Sequence, residues 1–96
     1  MEKLVRVLEQ FPMETIELKN DRGEKKIMKK VTVKMTDGID EFYGEALDST
    51  AETIDHTPLS TEQLYGAQLR ISCKERENNG KKTRWNSFRL LTIAEV

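Results

Sequence analysis

The sequence predicts an all-β chain, a five-stranded Greek-key barrel with a short helix between strands 3 and 4. Three observations predict it. Apolar and polar residues alternate over most of the chain, the period of two that half-buried strands require. Turn-forming stretches, Asn20-Asp21-Arg22-Gly23, Asp37-Gly38 and Asn78-Asn79-Gly80, divide the alternating runs. A helix-start pattern stands directly before the fourth run. The 96 residues leave room for one core, so residues 1–96 are read as a single domain.

The first strand covers Leu4 to Leu8 and Thr15 to Leu18, bent at Phe11-Pro12 because proline cannot donate to a ladder. The second runs from Lys26 to Met35. Its pattern puts Ile27, Lys29, Val31, Val33 and Met35 on one face, and Lys26, Met28, Lys30, Thr32 and Lys34 on the other. The third runs from Glu41 to Leu47. There Phe42 alternates with Gly44 and Ala46 and is expected inside, which turns Tyr43 outward between Glu41 and Glu45. The acidic, Thr-rich stretch Asp48 to Thr57 has no readable structure. After it, Ser60 and Gln63 form a capping box, Leu59 and Leu64 a hydrophobic staple, and Gly66 a stop. A helix over Thr61 to Tyr65 is the expectation.

Gln68 to Ile93 reads as a long hairpin closed at Asn78-Asn79-Gly80, residues that tolerate positive φ. In its first strand Leu69, Ile71 and Cys73 alternate with Arg70, Ser72 and Lys74, so Cys73 is expected to be buried. Its second strand carries Arg84, Trp85, Phe88 and Arg89 and ends in an apolar run. The adjacent pair Leu90-Leu91 requires a bulge, a twist or burial on both sides. Trp85 therefore has two readings, core residue or surface platform. This element order is that of the OB-fold. SH3-like barrels and an α+β roll compete, the former usually lacking a helix at this point.

Composition sets the outer bounds. A charged fraction of 34% against 36% hydrophobic describes a well-solvated chain. No apolar run approaches the roughly 20 residues of a membrane span. The first residues, MEKLVRVLEQF, have neither the apolar core nor the cleavage site of a secretory signal. The single cysteine cannot form an internal disulfide, and the cytoplasm is the expected compartment. Net charge is −1, yet it is segregated: residues 25–34 carry +5, residues 36–67 carry −8 and residues 68–92 carry +5. A binding face requires such segregation in space.

Catalytic chemistry finds no support. His56 is the only histidine, so no histidine pair or Cys/His cluster can hold zinc. Asp37, Asp40 and Glu41 lack the spacing of a calcium loop, and no glycine-rich loop precedes a helix. The chain is expected to be no enzyme, with no cofactor, metal or small-molecule substrate.

Binding a single strand needs cations along its phosphates and aromatic faces for its bases. Thr83, Trp85, Ser87 and Arg89 share one face of their strand, and Arg70, Ser72, Lys74 and Arg76 share one face of the neighbour. With Lys81, Lys82, Arg84, the stripe Lys26, Lys30, Lys34 and the outward Tyr43, these are the candidate nucleic-acid-binding residues. Each has a plainer reading. The lysine stripe also guards an exposed sheet against aggregation, and Tyr43 between two acids is also an ordinary surface tyrosine.

The layout resembles the single-stranded-DNA-binding OB domains of the bacterial SSB and PriB type. The resemblance spans nearly the whole chain and is closest at Gly80-Lys81-Lys82-Thr83-Arg84-Trp85, followed by Leu90-Leu91. It implies single-stranded nucleic acid, DNA before RNA, as the partner, with a second copy of the chain or another protein as further partners. Two departures stand out. The chain ends at Ala94-Glu95-Val96 without the glycine-rich, acidic-tipped tail of bacterial SSB, and it is acidic overall with one Trp. A short accessory binder is the resulting expectation. The alternative is an OB-fold protein–protein interaction module that uses the acidic linker or its strand edges, since such barrels serve many roles.

Overall fold

Phe11-Pro12 breaks the first alternating run, and its halves become β1 (Glu2–Gln10) and β2 (Glu14–Lys19), both paired with β3 (Lys25–Thr36). The computed structural model describes all 96 residues. After β3 come β4 (Glu41–Leu47), α1 (Asp48–His56), β5 (Leu64–Asn78) and β6 (Lys81–Glu95). β1 pairs with both β3 and β5, which closes the ring β1-β5-β6-β4-β3. All pairings are antiparallel except β4 with β6. With β1 and β2 counted as one bent strand, this is the closed five-stranded Greek-key barrel of the OB-fold.

Inward residues at every second position fill the barrel. Val5 and Val7 of β1, Val31, Val33 and Met35 of β3, Ala46 of β4, Tyr65, Ala67 and Leu69 of β5 and Leu90 of β6 are all buried. Phe42 packs against them from the edge, as its alternation predicts. Gly44 lies inward on β4, where a Cβ would run into the Met35 methyl. Of the bulge, twist or two-sided burial that Leu90-Leu91 requires, the structure has a bulge. Gln68 pairs with Thr92 and Leu69 with Leu90, leaving Leu91 as the extra residue.

The helix lies between the third and fourth strands of the ring, as expected, but over other residues than Thr61 to Tyr65. Ser60 begins no helix. Its Oγ accepts the Glu62 N–H at 3.1 Å in a local turn, and Tyr65 is already in β5, opposite Val5. The buried Tyr65 hydroxyl reaches back to accept the Ser60 N–H at 2.8 Å. Gly66 is accordingly a strand residue. The helix is instead α1, in the acidic, Thr-rich stretch Asp48 to Thr57. Ala51 and Ile54 close one end of the barrel. Gln10 latches it, donating to the Ile54 carbonyl at 2.9 Å and accepting the Leu59 N–H at 2.9 Å. Lys29 Nζ meets Glu52 at 2.6 Å, and that hydrogen bond, with the charge attraction, raises the lysine pKa.

Two ribbons leave the barrel. β2 and the start of β3 form one, so Ile27, on the same face as the buried Val31, is 64% exposed. The other is the β5–β6 hairpin. β4 reaches β6 only at Gly44–Phe88 and Glu45–Arg89, so residues 72–87 pair with nothing but each other. The ribbon projects about 20 Å at 3.3 Å per residue. Its turn has Asn79 at φ 52° and Gly80 at φ 78°, the type I′ geometry that matches strand twist. Cys73 lies on this ribbon and is exposed, not buried. Its alternation with Leu69 and Ile71 is intact, but no sheet covers that face so far from the barrel.

The β3–β4 turn is tied to β1 through Asp37. Its carboxylate accepts the Asp40 N–H at 2.8 Å, the Ile39 N–H at 2.9 Å and Lys3 Nζ at 2.9 Å. The Asp40 backbone bond, then the Lys3 hydrogen bond, hold the Asp37 pKa far below its ordinary 3.8. A depressed carboxylate pKa stabilises the fold above the unfolded-state value and loses that contribution as pH falls through and below it. The wild-type melting temperature should therefore drop on acidification below about pH 4. Asp37→Asn should be less stable at pH 7 and show a smaller acid-induced drop in a melting series. Parallel pH profiles for the two proteins would remove Asp37 from this role.

Candidate nucleic-acid interface

Residues directly opposite in an antiparallel pair share a face of the sheet. The β5–β6 register sets Arg70 opposite Arg89, Ser72 opposite Ser87, Lys74 opposite Trp85 and Arg76 opposite Thr83, with Asn78 and Lys81 at the turn. The two half-faces read from the sequence thus form one surface. Trp85 is 46% exposed and outside the core, which excludes the core reading. Arg70, Lys74, Arg76, Lys81 and Arg89 make no ion pair, so this face carries five free cations around one indole.

Lys82 and Arg84 lie on the reverse face of the ribbon, with Glu77 opposite Lys82 and Glu75 opposite Arg84. Glu75 takes Arg84 Nε at 3.3 Å and Lys82 Nζ at 3.9 Å. These two cations are separated from Trp85 and partly neutralised. Ile71 and Phe88 share that reverse face nearer the barrel, with Phe42 and Phe88 rings 5.2 Å apart.

Across the barrel wall the Trp85 face continues. Arg89 stands beside Glu45 of β4, and Tyr43 of β4 stands opposite Lys34 of β3. Tyr43 is 54% exposed, as its alternation with Phe42 predicts. Phe11, at the β1–β2 bend, supports it with ring centroids 6.2 Å apart and planes at 49°. In the sequence Phe11 marks only the bend at Pro12. An aromatic side chain beside Pro12, where the chain must turn over the sheet, was the available signal. The lysine stripe is less free than its spacing implies. Lys34 lies 3.4 Å from Glu41, and Lys30 lies 3.7 Å from Glu14 and 3.9 Å from Glu45. Ion pairs near a surface are worth about 0–1 kcal/mol each, and the lysine side chains here are 22% and 34% exposed. Lys26 stands apart, exposed on the β2–β3 ribbon opposite Leu18.

No group of three or more His, Cys, Asp or Glu is placed to hold a metal ion. No helix is long and apolar enough to cross a membrane.

No family model matches the chain, and neither does any curated protein. Among solved structures, the small single-stranded DNA-binding protein from Streptomyces coelicolor is similar, with a TM-score of 0.44 and 11% identity over 100% of this chain and 92% of that one.

Proposed function

We propose that this chain binds single-stranded nucleic acid, DNA in the first instance, as a non-catalytic accessory protein. The strand would run along the outer face of the β5–β6 ribbon and across β4 toward β3. One observation supports this reading above the others: five unpaired cations and an exposed indole share a face that the acids Glu75 and Glu77 do not reach. Such a face meets both needs of a single strand, cations for phosphates and a ring for bases.

The test is titration of labelled dT and rU oligomers across a salt series. Each phosphate contact contributes about −0.7 to the slope of log K against log salt for single strands. Arg70→Ala should weaken binding to every oligomer and lower the slope magnitude by about 0.7. Absence of binding to either oligomer at low salt would refute the reading. A protein-interaction role is favoured by a separate observation, the reverse ribbon face, where Ile71 is 46% exposed and the neighbouring charges are paired. Salt-insensitive self-association without oligomer binding would select it.

A further inference from the structure

We propose that the Tyr43 platform reads base identity. Glu41 and Glu45 there favour bases bearing an exocyclic amine (cytosine, adenine or guanine) over thymine and uracil. The inference rests on the single-strand reading above and names the class of base that reading would prefer.

Glu41, Tyr43 and Glu45 occupy alternate positions of β4, so both carboxylates flank the ring on the same outer face. Tyr43 is propped by Phe11 and exposed enough to take a base. The Glu41 and Glu45 side chains are 60% and 43% exposed, and each has one lysine contact, to Lys34 at 3.4 Å and to Lys30 at 3.9 Å. An ionised carboxylate offers about four acceptor sites, so each keeps lone pairs for a further donor.

Two acids beside a stacking ring repel phosphate. A strand crossing here lowers its energy by turning its backbone toward Arg89 and Arg70 and its base edge toward the acids. The edge then decides affinity. Cytosine N4, adenine N6 and guanine N2 present N–H donors that a carboxylate accepts, whereas thymine and uracil flank their single N3–H with two carbonyl oxygens. One net hydrogen bond of this kind is worth about three- to tenfold in affinity.

The experiment measures dC and dT oligomers of equal length by anisotropy against wild type, the Glu41→Gln/Glu45→Gln double variant and Glu75→Gln. The readout is the ratio of the dT to the dC dissociation constant, which cancels general charge effects. The ratio should fall about three- to tenfold in the double variant, because a carboxamide can donate to a thymine carbonyl. Glu75→Gln, on the reverse ribbon face, should leave it unchanged. Either single variant carries the same test should the double variant fold poorly. A double variant that moves both affinities equally overturns the base-reading inference and leaves single-strand binding standing. A wild type that binds neither oligomer at low salt overturns the binding reading, and the inference with it.

Discussion

Trp85→Ala should lower single-strand affinity by about 1–3 kcal/mol, roughly 5- to 150-fold, through the loss of one stacked base. The salt slope should stay nearly constant, because no cation is removed. Stability should change by less than about 1 kcal/mol. Trp85 is 46% exposed on a ribbon beyond the barrel, and its cross-strand neighbour is Lys74. Such a cross-strand pair is worth only about 0.2–1 kcal/mol. A Trp in the core would cost about 3–5 kcal/mol on truncation, so denaturation of the variant tests the burial and oligomer anisotropy tests the stacking. Unchanged affinity in a stably folded variant would remove Trp85 from the interface.

The period of two reports which residues share a face. It does not report whether anything covers that face. Val31, Val33 and Met35 followed the pattern inward because β4 pairs with that whole length of β3 and β1 with its last residues, from Val33. Ile27, on the same face, falls past the barrel's end and is exposed. Cys73 failed for the same reason on β5. The pattern was sufficient for β4, whose bounds Glu41–Leu47 agree with the expectation, and for the Asn79-Gly80 turn, whose chemistry is local. It also separates Arg84 from Trp85, since adjacent strand residues point to opposite faces.

The helix was harder to read, for a different reason. Leu47, Ala51 and Ile54 have helical spacing, but Asp48, Ser49, Thr50 and Thr53 around them have weak helix propensity. What holds α1 is tertiary: the open barrel end, the Gln10 latch, the Lys29–Glu52 pair, and Thr50 Oγ donating to the Leu91 carbonyl at 3.2 Å. The capping box at Ser60 was a genuine local signal that lost to the strand pairing of Tyr65 with Val5. Ion pairing was also invisible in the sequence. Which lysines are free depends on β2 and β4 bringing Glu14, Glu41 and Glu45 beside the stripe on β3.

The boundary between barrel and ribbon gives the largest expected stability effect. Leu90→Ala should destabilise the fold by about 2–5 kcal/mol, the cost of deleting a buried leucine and leaving a cavity. Leu90 is 1% exposed, pairs with the equally buried Leu69, and stands at the base of the ribbon beside the bulge. Against a total of about 5–15 kcal/mol for a native protein, that is a large share. Ile71→Ala, two residues beyond Leu69 on the same face, should cost well under half as much, because Ile71 is already 46% exposed. The sequence alternation alone would make the two truncations equivalent. Urea denaturation of both variants measures the difference, and the folded fraction of each should retain wild-type oligomer affinity, since neither side chain lies on the Trp85 face. Equal losses from the two substitutions would mean that the core runs on into the ribbon. The exposed face on which the binding reading depends would then be shorter than the geometry gives.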